Sequence, residues 1–142
     1  MRETTHNKLN VIATSQAMDI ASAAMIEGER VGVSVSVAIC DPLMGLVVFA
    51  KADGATPHSA HTSRRKAQTA ASTRKPTGWM SDQMSITLPL ASGNRLTNVG
   101  GGFPIRFGGE FIGAIGVAGG TVEQDIAIAQ AALRSVGADA TQ

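Results

Sequence analysis

The sequence predicts an α+β domain, an antiparallel sheet of about five strands with helices packed on it. Three observations lead there. Apolar residues recur at helical spacing in three stretches, strand-length apolar segments come in pairs, and short turns rich in Asp, Pro or Gly join the members of each pair. With 142 residues, 44% hydrophobic and only 16% charged, the chain has the size for one core and the means to bury it. We read one domain over residues 14–136, an arm over 1–13 and a tail over 137–142.

The arm is polar until a short apolar strand from Leu9 to Ala13. Thr14 or Ser15 then caps a helix whose Ala17, Ile20, Ala21, Ala24 and Met25 share one face, and Gly28 to Gly32 end it. Val33, Val35 and Val37 alternate with Ser34 and Ser36, and apolar residues continue to Cys40, which makes a strand with one face buried. The turn from Asp41 to Gly45 leads back along a second strand from Leu46 to Ala50.

Thr56 and Pro57 suit the N-cap and first position of a second helix, with small inward residues at Ala60, Ala67, Ala70 and Ala71. That small face is expected to let another subunit approach closely. Pro76 to Gly78 end the helix, and residues 79–84 form one more short helix before an irregular segment from Pro89 to Gly102. Phe103 to Phe107 and Glu110 to Val117 make a hairpin across Gly108 and Gly109. Thr121 caps a last helix to about Val136, with Ile126, Ala129, Ala132 and Leu133 facing in, and the tail from Gly137 is expected to fray.

Composition removes several functions. Twelve Lys plus Arg against eleven Asp plus Glu leave +1, without the positive excess that drives binding to a phosphate backbone, so nucleic acid is not an expected partner. The absence of Tyr leaves no phenolate for catalysis and no Tyr ligand for haem. Cys40 is the only cysteine, so the chain has no internal disulfide, iron–sulfur cluster or Cys-rich zinc site. The N-terminus lacks the apolar core of a secretory signal and no run of 18 apolar residues occurs, so a cytoplasmic protein without a membrane partner is expected.

Two stretches carry the candidate chemistry. Thr121 and Gln124 form a capping box, and Gly119, Gly120 and Thr121 place backbone N–H groups at a helix N-terminus, where the dipole favours an anion. The alternative is a structural turn whose own acids, Glu123 and Asp125, satisfy that dipole. The stretch from Gly54 to Ser81 holds no acid, yet it holds Arg64, Arg65, Lys66, Arg74 and Lys75 beside His58 and His61. Such a field attracts a carboxylate or propionate, unless the side chains pair with acids elsewhere or lie solvated. His58 and His61 stand three apart and could share a metal or a haem iron, although two imidazoles without a third ligand are more often a surface pair.

Three segments together resemble a known family. GGGFPIRFGGEFIGAIGVAGGTVEQD from Gly100, VSVAICDPLMGLVVFAKADGA from Val35 and SRRKAQTAAS from Ser63 are similar to the closing hairpin, first hairpin and Lys-Ala-x-Thr-Ala helix of the GlcG and HbpS-like proteins. This haem-degrading, or domain-of-unknown-function 336, family includes the C-terminal domain of PduO-type cobalamin adenosyltransferases. The resemblance covers about Thr14 to Val136 and implies a profilin-like arrangement, a homo-oligomer, and haem or another small molecule as ligand.

The expectation is therefore an oligomeric cytoplasmic protein, linked to a catabolic pathway, that binds haem or a similar small anionic ligand through Arg65, Lys66, Gly119, Gly120 and Thr121. Lys66 lies in a matched segment and is expected to pair with Asp53; its replacement by Ala is expected to weaken binding while largely keeping the fold. The alternative is a small lyase or isomerase acting on a carboxylated or aromatic substrate, with His61, Lys66, Asp53 and Glu123 as the catalytic set.

Overall fold

The computed structural model describes residues 3–141; Met1 and Arg2 of the expected arm and Gln142 of the expected tail lie outside the described residues. The elements are α1 (Thr14–Arg30), β1 (Ser36–Cys40), β2 (Leu46–Lys51), α2 (Ser59–Thr73), α3 (Asp82–Ala91), β3 (Gly102–Phe107), β4 (Glu110–Ala118) and α4 (Val122–Ser135). The sheet has four strands in the order β2-β1-β4-β3, and every neighbouring pair is antiparallel.

The expected fifth strand does not form. The Ile12 N–H donates to the Ile112 carbonyl at 2.9 Å, but Ala13 already serves as the N-cap of α1, so the chain turns into the helix before a ladder can develop. Neither Thr14 nor Ser15 caps α1, which runs through Gly28 to Arg30. Gly28 is tolerated inside the helix because the chain folds back on it: a Cβ there would lie 2.8 Å from the Val33 carbonyl oxygen.

Two helical layers sandwich the sheet. Val37 and Ile39 of β1 join Ile20 of α1, Ile115 and Val117 of β4, and Leu133 of α4 in one core, while Ala38 and Cys40 point the other way onto Ala67, Ala70 and Ala71 of α2. β1 is thus buried on both faces, one more than its alternation suggested. The α2 layer lies very close to the sheet. A Cβ at Gly116 would fall on the Ser63 carbonyl oxygen and the Ala67 amide nitrogen, and one at Gly102 on the Lys66 carbonyl. The small face of α2 is consequently used within the chain, against β1 and β4, and not as a surface for another subunit.

Two further segments differ from expectation. Thr56 and Pro57 lie in the turn before α2, whose N-cap is His58. α3 starts later and extends further than the short helix read from residues 79–84; the Ser81 hydroxyl caps it by accepting from the Met84 N–H at 3.2 Å, and Pro89 sits in its last turn. The tail from Gly137 is held: the Asp139 N–H donates to the Arg106 carbonyl at 2.8 Å, and its carboxylate accepts from the Gly108 and Gly109 N–H groups at 3.0 and 2.6 Å. Among the described residues no helix is long and apolar enough to cross a membrane.

Candidate functional site

The sheet face of α2 carries Lys66, a charged side chain only 1% exposed. Its Nζ donates to Asp125 Oδ2 at 2.9 Å and to the Val117 carbonyl at 2.8 Å. The other oxygen of Asp125 accepts from the Gly120 N–H at 2.9 Å. One buried pair therefore ties α2, the end of β4 and the start of α4 together. Burial lowers the Lys66 pKa from its ordinary value, opposed by the hydrogen bond and charge of Asp125.

Lys66 thus pairs with Asp125 and not with Asp53. The first hairpin carries Asp53 beyond the end of edge strand β2, where it is exposed and lines another cleft with Glu29 and Lys51. α2 packs mainly over β1 and β4, which brings the α4 acid to the lysine instead. A signal for Asp125 was present in the sequence. It precedes Ile128, Ala129 and Ala132 by three, four and seven residues, in register with the buried face of α4.

Of the three amides expected to be free for an anion, those of Gly120 and Thr121 are occupied. Besides the Gly120–Asp125 bond, the Thr121 N–H donates to Gln124 Oε1 at 2.9 Å, and the Gln124 N–H donates to the Thr121 hydroxyl at 3.1 Å. The capping box forms, and by forming it closes the turn.

Lys66 does share a cleft with the Gly-Gly turn, as the convergence of the two stretches requires. The cleft measures about 320 Å³ and is lined by Lys66, Asp125, Gly119 and Gly120 on its inner side. His58, Thr56 and Thr62 line it from α2 and the turn before it, and Val99 and Val122, 42% and 41% exposed, complete the lining. Its inner charges cancel, so the cleft combines hydroxyls, one imidazole and apolar walls over a neutral floor.

The remaining candidates are distributed elsewhere. His61 and Arg65 line a cleft on the outer side of α2, and Arg65 Nη2 donates to the Leu96 carbonyl at 2.8 Å. Glu123 and Thr121 are exposed at the start of α4. His58 and His61 belong to different clefts because His58 precedes the helix as its N-cap. No group of three or more metal-ligating side chains occurs among the described residues. The Cys40 thiol is buried, and burial pushes its pKa up to about 12, so it is no nucleophile at neutral pH.

A four-stranded antiparallel sheet with helices on both faces and a small cleft at the β4–α4 turn defines the class, a compact α+β cleft protein. The chain belongs to the family described as haem degrading protein HbpS-like, whose profile matches residues 12–134. It is similar to the 15.0 kDa protein of the dhaT-dhaS intergenic region of Citrobacter freundii, 33% identical over 89% of this chain and 95% of that one. Protein GlcG of Escherichia coli K12 is 35% identical over 78% of this chain and 84% of its own length. Among solved structures, a PduOC–haem complex superposes with a TM-score of 0.85 at 26% identity, covering 93% of this chain and 99% of that one.

Proposed function

We propose that this protein binds haem in the cleft at the β4–α4 turn. The observation that carries the reading is that the exposed imidazole of His58 shares this cleft with two exposed valines, Val99 and Val122, above a floor whose only ion pair is internally neutralised. Haem needs a nitrogen donor for iron, apolar walls for the macrocycle and no unpaired buried charge beneath it. The residues present fit those needs: His58 would ligate the iron and the valines would pack on the ring. A macrocycle is larger than the cleft's 320 Å³, so one edge would enter and the rest would lie over the cleft mouth. The PduOC–haem complex and the HbpS-like family description support the same ligand.

Self-association is part of this reading. α3 has no buried residue, and its Ile86 and Leu90 are 65% and 68% exposed. Covering them would remove apolar surface from water, and a second copy is the partner the family resemblance implies. Light scattering at micromolar concentration should give a mass of at least two chains; a monomeric mass counts against it.

Hemin titration tests the ligand. A red-shifted Soret band saturating near one haem per chain is expected, with the shift lost or strongly weakened in His58→Ala. Absence of a shift in the unaltered protein would overturn haem as the ligand, and identical titrations of the two proteins would overturn the role of His58.

A further inference from the structure

We propose a second ligand site, on the opposite side of α2 from Lys66, that takes a small polyanion bearing phosphate or carboxylate groups. The spacing of α2 places His61, Arg64, Arg65 and Gln68 on one helical face, at positions i, i+3, i+4 and i+7. They line a cleft of about 430 Å³, closed by Arg95 beyond the end of α3 and by the β1–β2 turn at Met44. Three guanidiniums and an imidazole thus face one space whose lining contains no carboxylate. The nearest acid in sequence, Asp41, has its Oδ1 engaged by the Leu43 and Gly45 N–H groups at 2.8 and 3.0 Å. The two ion pairs formed among the described residues, Arg30–Glu27 and Lys66–Asp125, involve none of these cations.

The state of Arg65 sets this cleft apart from a solvated basic face. Arg65 is anchored by its bond to the Leu96 carbonyl, yet its Nε is buried without any hydrogen-bond partner, the one such buried side-chain atom among the described residues. A buried donor left unpaired is costly. With its Nη2 held by Leu96, the Arg65 guanidinium is already fixed in place for an oxyanion entering the cleft.

Guanidinium suits this ligand class because its planar fork matches the oxygen spacing of carboxylate and phosphate. Several arginines converging on one space favour a ligand with more than one anionic group over a monoanion, since each added charge meets its own donor. The cleft is separate from the haem site proposed above, and each can fail without the other.

Calorimetric titration of the full chain with inorganic pyrophosphate and with citrate tests the proposal. At least one of them is expected to saturate at one per chain, pyrophosphate winning if the natural ligand carries phosphoryl groups and citrate if it carries carboxylates. The Arg64→Gln/Arg95→Gln variant should bind at least roughly tenfold more weakly, through loss of charge-assisted hydrogen bonds. Arg74→Gln/Arg106→Gln, which removes the two guanidiniums stacked at 4.8 and 5.6 Å from the Phe111 ring centroid, serves as the charge-matched control and should bind like the unaltered protein. Failure of both probes to bind, or equal weakening by the two double variants, would overturn the site and leave only diffuse positive charge.

Discussion

Lys66 Nζ lies 2.9 Å from Asp125 Oδ2, and the two side chains are 1% and 4% exposed. Fifty-nine residues separate them in the chain, and the pair joins the α2 layer to the first turn of α4 through the end of β4.

Removing one member of this pair strands the other. Lys66→Met is expected to cost about 3–5 kcal/mol, because the Asp125 carboxylate would stay buried without its cation. This revises the expectation that Lys66 could be replaced with the fold largely kept. Adding Asp125→Asn should recover part of the loss, a coupling measurable by urea denaturation of the two single variants and the double. Strictly additive losses would show that the pair carries no coupling energy.

Cys40 gives alkaline sensitivity a definite sign. Its thiol ionises at 9.0 when unperturbed but near 12 in the folded protein, so above pH 9.0 the unfolded chain loses a proton that the folded chain keeps. Its contribution to stability is complete below pH 9.0 and is lost progressively as pH rises towards about 12. Lys66, whose pKa is lowered by burial, acts in the opposite direction below 10.5, where the unfolded chain binds the extra proton. Cys40→Ala should therefore flatten the loss of stability between pH 8 and pH 10.5, read from urea midpoints. An unchanged slope would contradict a protected thiol.

Gly116 sets the spacing between α2 and the sheet. Its replacement by Ala drives a methyl group into the backbone of α2 at Ser63 and Ala67, where no flexible side chain can yield. A loss of about 1–3 kcal/mol, or more, is expected from overpacking. Unchanged urea and thermal midpoints would mean that α2 can lift away at little cost.

Thr121→Ala should remove one half of the capping box of α4 and cost about 1 kcal/mol. Because Asp125 still receives the Gly120 N–H and the Lys66 ammonium, the β4–α4 turn should persist. Thermal denaturation reads the first effect. Hemin titration of the same variant should match that of the unaltered protein, and a lost Soret shift would show that the cap, and not the cleft, governs binding.

Some of the site could be read before folding. The Gly119-Gly120-Thr121 turn, its capping box and the cation-rich, acid-free second helix all follow from short-range patterns, and Lys66 does meet the glycine turn. The pairing with Asp53 failed because nearness in sequence stood in for nearness in space. Asp125, three residues before Ile128 on the buried face of α4, was the better reading. The sequence predicts a third helix ending at residue 84, whereas α3 runs to Ala91 with Pro89 inside it and forgoes the one i→i−4 hydrogen bond that a proline cannot donate.

The sequence by itself determined the α+β class, three of the four helices to within a few residues, both hairpins and the cap of α4. Each of these rests on a period or a turn contained within some fifteen residues, where backbone hydrogen bonds and one buried face decide the outcome. Only the tertiary structure decided that four strands pair and not five, that Lys66 is neutralised by Asp125, and that His58 and His61 part into separate clefts. Those outcomes depend on strand order and on which helix covers which strands. A buried charge takes whichever partner that packing delivers, because leaving it unpaired away from water costs more than any local preference can return.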